Sequence, residues 1–332
     1  MTGGQGPNPV EVRRPLLFLG VASALALLSL LVPTPTGGFG ADPETTPGAV
    51  SAPASPATPA PACTQTRESL RPAGPPPAPG AFPPGSTLAA IAARGRLIAG
   101  VDQGKYLSGY RNPATGDLQG ADIDLAHQIA AALLGDPAKV QFVVLDIADR
   151  AAAIERGQVD MVVNNFTVTC ARQRTVEFST AYLEAAQRIL VPISANVREA
   201  EDLAGQRVCT SRGSTTEGVL RALPGRLDVV TLPGIPDCVV QLQQGRVAAV
   251  SSDDVILAGL AAQDPQTQVV GRALDHARYA VGMSPNAPDL VRLVNAVLER
   301  GRADGSLAAS DRRWFGGSLN PVPLPPPARY RD

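Results

Sequence analysis

At 332 residues the chain is long enough for two compact domains with additional segments. Its 29 basic and 30 acidic residues leave a net charge of −1, which gives no support for a nucleic-acid-binding surface. The two histidines, His127 and His276, lie far apart, and the four cysteines show no CxxC spacing. That pattern argues against zinc or thioredoxin-like chemistry, so no metal and no cofactor are expected.

In chain order, Arg13 and Arg14 precede Leu16–Val32, an apolar run interrupted only by Ser23 and Ser29. The basic flank predicts that the body of the protein is exported, either held at the cell membrane by this segment or secreted after its cleavage. Retention as an anchor is the favoured expectation, which makes residues 1–32 an anchor or signal segment. Residues 33–85 are rich in Pro, Ala and Thr and read as an extended linker, with Cys63 and Leu70 as candidates for touching the folded body. At the far end, residues 316–332 form a Pro-rich tail, either solvated, packed along the surface or read by a partner.

The folded body begins with Ser86 as a helix cap, followed by a helix over Leu88–Arg94 that Gly95 ends. Arg96–Val101 reads as a buried strand, with Lys105 and Tyr106 just past it. A helix opens in GADIDLAHQIA, Gly120–Ala130, and continues to Leu134. Val140–Leu145 is a strand, Ala148–Arg156 a helix and Val159–Val163 a strand. The stretch Asn164–Ser179, NNFTVTCARQRTVEFS, follows, with a short helix predicted near Cys170. After extended Gln187–Pro192 the rhythm restarts. Strands are predicted at Arg207–Thr210, Asp228–Leu232, Val247–Ser251 and Gln268–Val270. Helices are predicted after Gly213, at Asp237–Gln244 and at Asp253–Ala262. Tyr279–Met283 is extended, Ala287–Arg302 is a long helix, and a last helix ends at Trp314 and Phe315. Alternating strands and helices in two modules predict an α/β chain with two lobes and a cleft between them. Ligands of such sheets sit beyond the carboxyl ends of the strands, where Thr167 offers a hydroxyl and Arg172 a fork of donors for a carboxylate.

GADIDLAHQIA, TVTCARQRTVEFS, DLAGQRV, GSTT, SSDDVILAG and DGSLAASDRRWF, in that order, resemble the extracellular solute-binding proteins of family three, the polar amino-acid receptors of ABC importers. The resemblance runs over Leu88–Phe315 and is nearest to the actinobacterial glutamate-binding branch. It implies an α/β periplasmic-binding-protein, or Venus-flytrap, fold. Lobe one would be residues 86–183 and 279–315, and lobe two residues 184–278 including the hinge connectors. Arg172 and Thr167, with Asn165 beside them, match the clamp on a ligand α-carboxylate. Gly213, Ser214 and Thr215 match a second-lobe loop at a helix start. Asp253 matches the partner of the α-ammonium, with a helix cap as its alternative role and Asp254 as its competitor. Arg150 matches an arginine for a side-chain carboxylate, against the alternative of an exposed helix arginine paired with Asp146 or Asp149. Where the family stacks an aromatic on its ligand this chain has Ile147, with Tyr106 and Tyr110 as weaker substitutes. Lys105 and Arg212 are further basic residues near the mouth, and Ser211 stands where some members carry a lysine.

The placement of Cys209 on a strand and Cys238 on the helix after the next strand predicts one disulfide, and elimination in an exported protein leaves Cys63 with Cys170. The function implied is a monomeric receptor, not an enzyme, that captures glutamate or aspartate for an ABC permease. Alternatives are a ligand-sensing subunit of a membrane signalling protein and, on the same fold, a periplasmic dehydratase.

Overall fold

The computed structural model describes residues 66–331. Its first helix, α1 (Thr87–Arg94), starts where the Ser86 side chain accepts a hydrogen bond from Ala89 N. It leads into β1 (Leu97–Val101), of which all but Ile98 is buried. A small antiparallel sheet follows, made of β2 (Gly104–Lys105), β3 (Gly109–Arg111) and β4 (Leu118–Gln119). The chain then enters α2 (Ala121–Leu134) through Gly120, whose φ of +131° and closeness to the Ser108 carbonyl leave no room for a side chain. β5 (Val140–Val144), α3 (Arg150–Glu155), β6 (Met161–Val162) and β7 (Glu177–Phe178) complete the first pass through one lobe.

The long β8 (Leu183–Pro192) carries the chain across to the second lobe. There β9 (Arg207–Ser211), α4 (Thr215–Ala222), β10 (Asp228–Leu232), α5 (Ile235–Gln243), β11 (Ala249–Asp253) and α6 (Asp254–Gln263) alternate as anticipated. The return is made by β12 (Thr267–Tyr279), followed by β13 (Gly282–Met283), α7 (Pro288–Ala303) and α8 (Ser306–Phe315). One five-stranded sheet has the order β5-β1-β6-β13-β7 and the other β10-β9-β11-β8-β12. In each sheet four strands run in one direction and one opposes them, β13 between β6 and β7 in the first and β8 between β11 and β12 in the second. This is the bilobed α/β periplasmic-binding-protein fold.

The connectors between lobes are more ordered than isolated extended segments. β8 and β12 pair antiparallel along their length, from Thr267 opposite Pro192 to Tyr279 opposite Leu183, with an irregularity between Val270 and Asp275. The connection between the lobes is therefore a two-stranded ribbon whose backbone groups satisfy one another. α6 is apolar on every side, and Val255–Leu260 are all buried, because it packs between its own sheet and α8 of the other lobe.

The segment before α1 and the chain end clasp the first lobe together. Ser69 bridges Tyr330 in parallel, and Asn295 Nδ2 donates to Ser69 Oγ at 2.7 Å. Arg331 pairs with Glu177 at 3.0 Å, and Arg302 Nε donates to Pro326 O at 2.8 Å. Of the alternatives for the tail, residues 326–331 are packed on the body. Leu70 also packs against the core.

Membrane attachment, and with it a cell-membrane-anchored location, is corrected. Among the described residues no helix is long and apolar enough to cross a membrane. Leu16–Val32, on which that expectation rested, lies outside them.

Candidate functional site

The carboxyl ends of the parallel strands of both sheets converge on one polar cavity. From the first lobe Lys105, Ile147, Arg150, Asn165, Thr167 and Arg172 line it; from the second come Ser211, Ser214, Thr215, Thr216, Ser252 and Asp253, with Ile235 and Ile256. The lobes are closed over it. Arg172 Nη2 donates across the gap to Gly213 O at 3.3 Å, and Gly259 of α6 lies directly against the Tyr106 carbonyl.

Arg150 is the first residue of α3, yet it is only 3% exposed. Its Nη1 donates to Asn164 O at 2.7 Å and its Nε to Ile147 O at 3.0 Å. Arg172 sits in a single 3-10 turn, Arg172–Arg174, where a short helix was expected near Cys170, and its Nη1 donates to Thr167 O at 2.7 Å. Both guanidinium groups lie over the Phe166 ring, at 4.3 and 5.0 Å from its centroid. Neither has a carboxylate within ion-pair distance among the described residues. Burial, then the neighbouring Arg172 charge, pulls Arg150 down to about 9. Burial pulls Arg172 down to about 10, against the field of Asp253. The alternative of an exposed Arg150 paired with Asp146 or Asp149 is not what the fold builds.

Asn165 adopts φ +44°, a left-handed conformation that asparagine tolerates. Its backbone N–H donates to Asp122 Oδ2 at 2.9 Å, while both polar atoms of its buried side chain lack a protein partner. Asp122, also bonded by the Tyr182 hydroxyl at 2.7 Å, is pushed up to about 6 by burial. Lys105 is neutralised by Asp102 at 3.1 Å and donates to Asn164 Oδ1.

In the second lobe Ser214 caps α4 by accepting from Glu217 N. Ser214, Thr216 and Thr210 join their hydroxyls in a chain of 2.7 Å hydrogen bonds. The Gly213 N–H donates to Glu217 Oε2 at 3.1 Å, so it is the Gly213 carbonyl, not its N–H, that meets the other lobe. Asp253 occupies the position before α6 but makes no side-chain cap. Its carboxylate lines the cavity and accepts from the Tyr279 hydroxyl; burial pushes it up to about 6, and that hydrogen bond opposes the rise. Asp254 turns away, accepting from Ala186 N of β8 at 3.1 Å. Tyr106 packs edge-on to Tyr110 and is not part of the cavity wall, and Arg212 is exposed.

The family model of bacterial extracellular solute-binding proteins, family 3, matches residues 97–317. The chain belongs to that family. This solute-binding protein is 30% identical to the ABC transporter glutamine-binding protein GlnH of Bacillus subtilis over 69% of its own length and 84% of that protein's. It is 29% identical to the glutamate-binding protein GluB of Corynebacterium efficiens over 67% of its length and 79% of that protein's. Among solved structures, an ancestral arginine-binding protein bound to glutamine superposes with a TM-score of 0.63 at 30% identity, covering 67% of this chain and 99% of that one. Fold and family are those of a non-catalytic solute-binding receptor. Similarity of the same size to glutamine and glutamate binders does not single out the actinobacterial glutamate branch.

In this solute-binding protein the expected disulfide Cys209–Cys238 is present, with Cα atoms 5.4 Å apart. Cys170 is also disulfide-bonded, and Cys63, its expected partner, lies outside the described residues. Sequence reasoning missed Phe166, the surface under both arginines, and Tyr279, the partner of Asp253. Phe166 carried a usable signal, standing inside the NNFTVTC stretch with arginines around it. Tyr279 carried none, being far from Asp253 in sequence.

Proposed function

We propose that this protein captures an acidic α-amino acid, glutamate or aspartate, outside the cytoplasm and delivers it to an ABC permease. One observation carries the reading: Arg150, buried, and Arg172, half-buried, lie over the same ring, and neither has a carboxylate within ion-pair distance among the described residues. Buried cations without counter-ions are costly, so the cleft favours a ligand that brings anionic groups. Lys105 is balanced by Asp102. Two arginines against one Asp253 leave a single positive charge in the cleft, and an acidic amino acid carries a single negative one. In this reading Arg172, the Thr167 hydroxyl and Asn165 take the α-carboxylate. Asp253 takes the ammonium, Arg150 takes the side-chain carboxylate, and Ser214 and Thr215 close over the ligand from the start of α4. The lobes divide at residues 86–183 with 279–315, and 184–278. Relatives named for glutamate binding support an acidic ligand, and those named for glutamine make the amides the nearest competitors.

Calorimetry with glutamate, aspartate, glutamine and asparagine tests this. Arg172→Ala is expected to abolish binding of all four. Arg150→Ala is expected to weaken the acidic ligands selectively, by roughly tenfold or more relative to the amides. Equal losses for all four on removing Arg150 would sink the acidic-ligand reading.

A further inference from the structure

Tyr279 closes β12 at the first-lobe end of the hinge ribbon and is wholly buried. Its backbone is tied to the ligand loop: Tyr279 bridges Thr167, Ala280 N donates to Phe166 O at 3.1 Å, and Val168 N donates to Arg278 O at 2.9 Å. Its hydroxyl, however, donates to Oδ2 of Asp253, the last residue of β11 in the second lobe. The bond therefore spans the part of the ribbon where Asp275–Arg278 pair with Glu184–Gln187. The other oxygen of Asp253, Oδ1, accepts no hydrogen bond among the described residues. Beside it, the Tyr182 ring lies 6.5 Å from the Tyr279 ring, and Tyr182 gives its hydroxyl to Asp122 in the first lobe. Tyr182, one residue before β8, and Tyr279, at the end of β12, thus each send a phenol to one buried carboxylate.

We propose that Tyr279 is a positioning residue for the ligand's ammonium. Its hydroxyl engages one oxygen of Asp253 and leaves the other for the ammonium, and it does so from the first lobe, so the acceptor oxygen is set before the ligand arrives. This rests on the amino-acid reading above. The physical reason is that a carboxylate on one strand end rotates freely about its last torsion unless one oxygen is held; a phenol fixed to the first lobe supplies that hold. A ligand bridging Thr167 and Asp253 favours the geometry that Tyr279 also favours.

The test separates the contact from the ligand. The charged and titratable groups around Asp253 are Tyr279 and Asp275 from β12, Asp254 from α6, Lys105 from β2 and Arg172 from the loop beyond β6. Of these only Tyr279 hydrogen-bonds its carboxylate. In ligand-free protein, a carbon-13 NMR titration of Asp253 should therefore move upward by about one pH unit in Tyr279→Phe, because the lost donor stabilised the ionised form. With ligand, Tyr279→Phe should weaken glutamate and glutamine alike by roughly tenfold near neutral pH. The affinity lost on acidification should also set in at higher pH. In an Asp253→Asn background the same Tyr279→Phe change should have little further effect on affinity. An unmoved Asp253 titration, or an equal loss of affinity in the Asp253→Asn background, would overturn the proposal and leave Tyr279 a packing residue. A shifted titration in a protein that binds none of the amino acids would uphold the cross-hinge contact and refute the amino-acid reading instead.

Discussion

Arg150→Met should leave the ligand-free protein as stable as the parent or more so, while removing the extra stability that glutamate confers. The Arg150 guanidinium is pulled down from the usual arginine range to about 9 by burial and by Arg172. At 1.36 kcal/mol per pH unit that corresponds to about 5 kcal/mol of unfavourable burial. The sign follows from linkage. A cation with a depressed folded value burdens the fold fully below that value and is relieved only as pH rises through about 9 toward the usual arginine range. The burden is therefore complete at neutral pH. Against it stand the hydrogen bonds to Asn164 O and Ile147 O, worth about 1.5–3 kcal/mol each for a charged donor. The contact with Phe166 adds about 1 kcal/mol. These terms nearly cancel, and methionine keeps much of the volume. Urea unfolding of both proteins, with and without glutamate, measures the balance. Wild type at a hundredfold excess of ligand over Kd should gain about 2.7 kcal/mol, and the variant much less at the same concentration. A ligand-free variant destabilised by several kcal/mol would refute the reasoning. It would show that Arg150 is a structural cation whose hydrogen bonds outweigh its burial.

Two further outcomes follow from crowding and from an orphaned acid. A methyl group at Gly259 would lie 2.3 Å from the Tyr106 carbonyl of the opposite lobe. Gly259→Ala should therefore hinder closure, weakening every ligand by roughly tenfold or more and enlarging the ligand-bound radius of gyration in solution scattering; unchanged affinity and size would refute it. Asp311 of α8 is buried with Oδ2 unpartnered, and burial followed by the Asp122 charge pushes it up to about 7. With the folded value raised above the unfolded 3.8, its favourable contribution is full below 3.8 and is lost as pH rises through about 7, a span of about 4 kcal/mol. Asp311→Asn should stabilise the protein more at about pH 8 than at about pH 5 in urea unfolding, and an equal effect at both would refute the assignment.

What the sequence makes legible here is what lies close along the chain. The NNFTVTCAR stretch carries Asn165, Thr167 and Arg172 within one loop, because a strand end and the turn after it are local features of hydrophobic pattern and turn chemistry. The preference for Asp253 over Asp254 rested on the family resemblance, since periodicity alone lets either open the same helix. It is decided by strand register: Asp253 pairs with Gln187 at the end of β11 and faces the cavity, while Asp254 meets the backbone of Ala186. The connectors between the lobes were implied by the family resemblance, but their pairing was not legible: Glu184–Gln187 and Asp275–Arg278 lie far apart along the chain, and antiparallel pairing makes them one ribbon. Arg150 shows why a helical position is a weak guide to exposure. At the first turn of a short helix it has the pattern of a solvated arginine, but α3 begins at the carboxyl edge of the sheet, and its side chain is drawn inward by Asn164 O and the Phe166 face. The charges that distinguish this cleft are thus set by contacts between segments that periodicity cannot connect. The cleft is accordingly assembled where the lobes meet, with Arg172 reaching Gly213 and Tyr279 reaching Asp253, more than by any single motif.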